Sequence, residues 1–136
     1  MIKELKFNHF GLAVRDKSKA ETFLNNLGYK WKKEVDDMNQ NINAGIMFHP
    51  LYFDIEIISK IRSNDKTPID NLIKNNSSAL YHICFECTNI SKLEIEMKEK
   101  NLLFKEIVKK IYSPLFERDI SFYYSDSIGI IEILHV

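Results

Sequence analysis

The sequence predicts an α+β fold: two tandem βαβββ modules forming a cupped, mostly antiparallel eight-stranded sheet arrangement with the helices outside. Three observations carry this reading. Shifting the numbering by 73 carries His9, Ser18, Lys19, Glu21 and Lys32 onto His82, Ser91, Lys92, Glu94 and Lys105 with no gap, the mark of an internal repeat. Each half closes on an apolar strand that holds one glutamate, Phe53-Asp54-Ile55-Glu56-Ile57-Ile58 in the first and Gly129-Ile130-Ile131-Glu132-Ile133-Leu134 in the second. And each of those glutamates has a histidine at a similar distance upstream, 47 residues from His9 to Glu56 and 50 from His82 to Glu132.

The elements follow in order. Phe7 to Val14 reads as a strand, with Gly11 allowing close backbone approach. Ser18 and Glu21 form an S-x-x-E capping box, and Ala20, Phe23, Leu24 and Leu27 follow at the spacing of one apolar helix face. Gly28 supplies the left-handed stop. Strands are expected over Tyr29 to Val35, Ile42 to Phe48 and Leu51 to Ile58, with a polar turn from Asp36 to Asn41. After a loop from Arg62 to Thr67, Pro68 opens a short helix with Thr67 as its cap and Ile69, Leu72 and Ile73 turned inward. The pattern then restarts. Tyr81 to Cys87 is a strand, and the capping box recurs at Ser91 and Glu94 with Ile90 just outside it. Leu93 and Met97 form the inner face, and Asn101 stands where Gly28 stood. Leu102 to Val108, Asp119 to Tyr124 and Ile128 to His135 complete the second module, and Lys109 to Glu117 is read as a loop that could close as a lid.

At 136 residues one domain is expected, with module one at about 5–60, a connecting helix at about 67–75 and module two at about 80–136. Lys and Arg number 19, as do Asp and Glu, and the basic residues are scattered, which argues against nucleic acid and against a polybasic membrane patch. No run approaches spanning length and the amino end lacks a signal-type apolar core, so a cytoplasmic protein is expected. Cys84 and Cys87 have C-x-x-C spacing, but three residues apart on a strand they point to opposite faces. They are read as reduced packing residues rather than a metal or redox pair.

The chemistry lies in the repeated His and Glu. An ionised carboxylate among β-branched neighbours is costly unless something cationic meets it. One such pair is easily structural; the same pair at equivalent places in both modules is not something that fold maintenance requires. Two imidazoles and two carboxylates around one point suit a single divalent ion, with Ni, Zn, Co or Mn all compatible. Such a metal polarises a carbonyl and stabilises an enediolate, and a displaced Glu ligand becomes a base for a proton α to that carbonyl. Arg15 and Arg118 are the cations placed to meet an anionic substrate. His49, beside a proline at a turn, and His135, on the face opposite Glu132, are not read as ligands, and Phe7, Phe122, Tyr123 and Tyr124 are read as core and rim.

The repeat, the strand texts "FNHFGLAV" and "LYHICFE", and the endings "DIEII" and "GIIEIL" resemble the vicinal oxygen chelate superfamily over essentially the whole chain. Within it the chain resembles the glyoxalase I and methylmalonyl-CoA epimerase branch. The resemblance implies a metal held by His9, Glu56, His82 and Glu132. The segment "DKTPIDNLIKNNSSALYHICFE" resembles the epimerase pattern of a short helix before the second histidine. Epimerases of this kind carry an extra glutamate as second base, whereas here the corresponding region reads Asn43-Ala44-Gly45-Ile46-Met47 without a carboxylate. In glyoxalase I the two metal-bound glutamates shuttle the proton, which implies that role for Glu56 and Glu132. A glyoxalase-type lyase or isomerase is therefore expected to act on a small carbonyl or thioester substrate. The alternatives are a methylmalonyl-CoA epimerase-like enzyme, a metal-dependent dioxygenase, and a non-catalytic small-molecule-binding protein of the resistance type. Exposed sheet edges and helix faces lead to the expectation of a homodimer.

Overall fold

In the computed structural model, which describes residues 2–136, the fold is α+β. Its first half runs β1 (Leu5–Val14), α1 (Lys17–Asn26), β2 (Lys30–Asp37), β3 (Ile42–Phe48) and β4 (Asp54–Lys60). A short α2 (Asp70–Ile73) leads into β5 (Ser78–Cys87), α3 (Ile90–Glu99), β6 (Lys105–Ser113), β7 (Arg118–Ser125) and β8 (Gly129–His135). The eight strands form a mixed sheet in the order β2-β3-β4-β1-β5-β8-β7-β6. Each βαβββ half has the same internal logic. A helical crossover returns the chain parallel to the strand it left, and the meander that follows reverses direction twice. The fourth strand thus pairs parallel with the first, β4 with β1 and β8 with β5, while the meander pairs are antiparallel. Among the described residues no helix is long and apolar enough to cross a membrane.

The residues pack as two compact units, one of His9–Tyr81 and one joining the residues up to Asn8 with His82–Val136. In the first, α1 begins two residues earlier than the capping-box reading placed it. Asp16 is the N-cap, its carboxylate accepting the Lys19 amide at 3.1 Å; Ser18 is already inside the helix. The charged carboxylate is the stronger acceptor for an orphan helix amide, and it also faces the positive end of the helix dipole. The apolar face is narrower than its sequence spacing implies. Leu24 alone is buried, packed with Val14, Tyr29, Met47 and Ile57, and Ala20 is only partly covered. Phe23 and Leu27 are 66% and 53% exposed. Gly28 ends the helix in the left-handed region at φ 98°, and the His49 ring fills the space where a Cβ would sit.

Strand β4 starts at Asp54 rather than Leu51. The His49 imidazole Nδ1 accepts the Leu51 amide at 3.0 Å, which turns the chain and leaves Leu51, Tyr52 and Phe53 exposed. Helix α2 also starts later than Pro68. Thr67 does not cap it; instead the Thr67 hydroxyl donates to Asp70 at 2.5 Å, and the Lys60 ammonium pairs with the same carboxylate oxygen at 2.8 Å. Ile69 and Ile73 are buried as expected, with Leu72 only partly so.

In the second unit the correction at the helix start repeats in register. Asn89, 73 residues after Asp16, is the N-cap of α3 and accepts the Lys92 amide at 2.9 Å. Ile90 is therefore the first helical residue. Glu94 is not half of a capping box but accepts the Tyr123 hydroxyl at 2.9 Å. Leu93 and Met97 are buried with Cys87, Tyr123, Ile131 and Ile133, and Asn101 takes the left-handed conformation at φ 53°. Cys84 packs separately with Ile120, Phe122 and Leu134; the thiols are free and lie in different clusters, as their strand spacing predicts. The lid reading fails. β6 runs on to Ser113, pairing Ile111 with Ile120 and Ser113 with Arg118, so only a four-residue turn remains of that segment.

Two predictions follow from these contacts. Asp16→Ala and Asn89→Ala should each cost about 1 kcal/mol in thermal or denaturant unfolding, whereas Ser18→Ala and Ser91→Ala should be close to neutral. The Asp70 carboxyl is pulled from its ordinary 3.8 down to about 2, first by the Lys60 ammonium and then by the Thr67 hydroxyl. A depressed carboxyl stabilises the fold above its unfolded value and loses that contribution as pH falls through its folded value. The stability difference between wild type and Asp70→Asn should therefore be constant at neutral pH and shrink between pH 4 and 2, as followed by acid-dependent denaturant titration.

Candidate metal centre

Strand alternation sorts the side chains of each half onto two faces. In the first unit Leu12, Val14, Ile55 and Ile57 pack on the α1 side. His9 and Glu56, one residue out of phase with them, take the other face. The parallel register sets Glu56 opposite Gly11 and His9 opposite Asp54. Because Gly11 puts no side chain between them, the carboxylate can reach along the strand: His9 Nε2 and Glu56 Oε2 are 2.9 Å apart. His9 is 0% and Glu56 5% exposed.

The second unit repeats the arrangement with a difference. Tyr123, Ile131 and Ile133 face α3, so Glu132 lies on the opposite face, beside Phe122 of β7 and Cys84 of β5. Cys84 occupies the place that Gly11 holds in the first half. His82 Nε2 and Glu132 Oε2 stand 3.8 Å apart, outside hydrogen-bond range, and each residue is 2% exposed. The His82 ring meets Phe122 edge-on at 6.0 Å.

One donor atom from each of His9, Glu56, His82 and Glu132 can be chosen so that all four lie within 4.8 Å of one another. This buried His and Glu group could hold a metal ion. Ligands at about 2.1 Å from one ion stand roughly 3–4 Å apart, so the spacing fits with small side-chain adjustments. The donor chemistry fits too: two carboxylates and two neutral imidazoles carry two negative charges, which a divalent cation balances away from water.

On β3, residues opposite Glu56 and Ile58 share their face, and these are Ile46 and Ala44. No carboxylate is present there, in agreement with the sequence. Lys33 of β2, paired with Ile46, occupies that face as well, a cation that sequence reading did not single out because its strand phase is shifted by a bulge between Trp31 and Lys33. The Asn8 amide, next in sequence to His9, donates to Glu86 at 2.6 Å and ties the start of β1 to β5. The excluded histidines have structural partners. His49 stacks on Tyr52 at 4.4 Å and packs against Tyr29 at 5.0 Å. His135 Nε2 is 2.7 Å from the Ser121 hydroxyl, and burial holds its imidazole pKa below the ordinary value. Arg118 is exposed, and Arg15 binds backbone carbonyls after α2.

Among curated proteins none matches the sequence. Solved structures do match in fold. Methylmalonyl-CoA epimerase from Mycobacterium tuberculosis superposes with a TM-score of 0.79 at 14% identity, covering 99% of this chain and 91% of that one. A hypothetical protein from Bacillus halodurans C-125 gives 0.80 at 18%, with 98% and 96% covered. A Streptomyces coelicolor methylmalonyl-CoA epimerase variant, in complex with 2-nitronate-propionyl-CoA, gives 0.76 at 12%, with 96% of each chain covered. At such identities the likeness is one of fold. The family is fixed by sequence: residues 8–124 match the model of the Glyoxalase/Bleomycin resistance protein/Dioxygenase superfamily, and the chain belongs to it.

Proposed function

We propose that this protein is a metal-dependent lyase or isomerase of glyoxalase I type, with His9, Glu56, His82 and Glu132 as ligands of one divalent ion. The observation that carries the proposal is the mutual approach of four buried donors, one from each residue, within 4.8 Å. When bound, the ion supplies Lewis acidity, polarising a substrate carbonyl and lowering the cost of negative charge on its oxygen.

The protein residues do the rest. The two imidazoles would each offer one ring nitrogen to the ion and, as neutral ligands, add no charge. The two glutamates are the carboxylates of the group and act as the proton carriers. One takes the proton from the carbon bearing the hydroxyl, and a carboxylate returns it to the neighbouring carbonyl carbon. The pair from the broken C–H bond forms a C=C bond and pushes the carbonyl pair onto its oxygen. As the second carbon is protonated the hydroxyl gives up its proton, which passes to that oxygen, so the first carbon becomes the carbonyl and the second the alcohol, with no external oxidant or reductant. Burial serves this role by keeping bulk water from exchanging with the proton in transit. The substrate class is a small hydroxy-carbonyl or acyl thioester, and we place the enzyme in the cytoplasm as a homodimer.

An epimerase is the second reading, favoured by the fold likeness to methylmalonyl-CoA epimerases. Inversion at one carbon requires an acid and a base on opposite sides. The face of β3 beside Glu56 offers only Ala44 and Ile46, which is why the glyoxalase type is preferred. Dioxygenase and purely ligand-binding roles rank below both, since four protein ligands leave few open positions for dioxygen and a binding module needs no buried ligand set.

Metal analysis of the purified protein after loading with Ni, Zn, Co or Mn should give about one ion per chain. Incubation in D2O with hemithioacetals and with 2-substituted acyl thioesters, followed by NMR, should show substrate turnover, and Glu132→Gln should reduce it by about 10²-fold or more while the protein stays folded. Wash-in confined to the α-carbon of the acyl thioesters would move the assignment to the epimerase. A folded protein that takes up none of the four metals would refute the proposal.

A further inference from the structure

A second site lies away from the His9–Glu56 pair. The β1/β4 register pairs Ala13 with Ile58, and carried two residues further it brings Arg15 beside Lys60. There the chain forms a cleft of about 580 Å³ lined by Arg15, Lys60, Ser63, Asp70, Asn71 and Lys74. Lys60 is four residues, about 13 Å, along β4 from Glu56. Neither His9 nor Glu56 lines the cleft, and the buried Ala13 and Ile58 lie between those two residues and the cleft along the paired strands.

Three cations and one carboxylate line it, an excess of two positive charges in a chain whose formal net charge is zero. The single carboxylate is already engaged: Asp70 accepts from Thr67 and is paired with Lys60. Arg15 is held rigidly, its Nε and Nη2 donating to the carbonyls of Ile73, Lys74 and Asn76. Those acceptors are backbone groups, so its charge is met by no carboxylate, and among the described residues Nη1 has no acceptor. Lys74 has no ion-pair partner among the described residues. A guanidinium held by backbone carbonyls, an exposed ammonium and the neutral donors of Ser63 and Asn71 form a donor set suited to phosphate oxygens.

We propose that this cleft is a binding site for a phosphate-bearing small molecule of diphosphate or nucleotide size. The volume exceeds what a single inorganic phosphate fills, and the charge excess matches an anion of two or more charges.

Isothermal titration of the intact protein with inorganic pyrophosphate and with ADP tests this. Both should bind, with affinity falling as salt is raised. Lys74→Glu should weaken binding by about tenfold or more, whereas Lys98→Glu, the same charge reversal on exposed α3, should leave it unchanged. Arg15→Lys keeps the charge but loses the fixed planar edge, and should weaken binding in the same direction. Absence of binding to either probe at millimolar concentration would overturn the proposal. So would an equal loss in Lys74→Glu and Lys98→Glu, which would mark diffuse surface attraction. None of these readouts involves metal uptake or proton exchange, so the result stands apart from the activity proposed above.

Discussion

The structure depends on putting a carboxylate in the middle of a buried apolar strand, twice. Glu56 sits between Ile55 and Ile57 and Glu132 between Ile131 and Ile133, and both are nearly without solvent contact. Burial of a lone carboxylate would cost several kcal/mol, far more than either strand gains from one additional apolar side chain. The fold meets this demand by pairing each glutamate strand parallel to a strand that carries a histidine. In both halves the meander runs back towards its origin, so that its last strand lies alongside the first. Topology and charge balance are thus one constraint seen from two sides.

Much of this was legible in the sequence. The repeat offset carried His9 onto His82, the two similar apolar strand texts located Glu56 and Glu132, and period-two alternation placed them on the face away from the helices. The C-x-x-C spacing of Cys84 and Cys87 was correctly discounted by the same alternation, since the structure puts the two thiols in separate clusters. Family membership agrees with what the motif text resembled.

What sequence reading missed has local physical causes. Ser18 and Ser91 satisfied a capping pattern, yet Asp16 and Asn89, equally good acceptors two residues earlier, take the amides of Lys19 and Lys92, and only one residue can cap a helix. Phe23 and Leu27 have helical spacing with Ala20 and Leu24, yet the helix meets the sheet through Leu24 and, in part, Ala20, and leaves the other two largely in solvent. The segment after Val108 contains lysines and a proline that read as loop. Cross-strand pairing with β7, which no local pattern reveals, extends β6 to Ser113. The cleft at Arg15 and Lys60 was invisible for the same reason, being assembled from residues up to about sixty positions apart.

The two halves are not copies in one respect. Gly11 stands opposite Glu56, whereas a cysteine stands opposite Glu132, and the imidazole–carboxylate distances differ accordingly, 2.9 against 3.8 Å. Here one carboxylate is engaged by its histidine and the other is held off, with a sulfur atom alongside. The duplicated connection thus fixes where each histidine and glutamate falls along its strands, while the residue facing each glutamate has diverged between the halves.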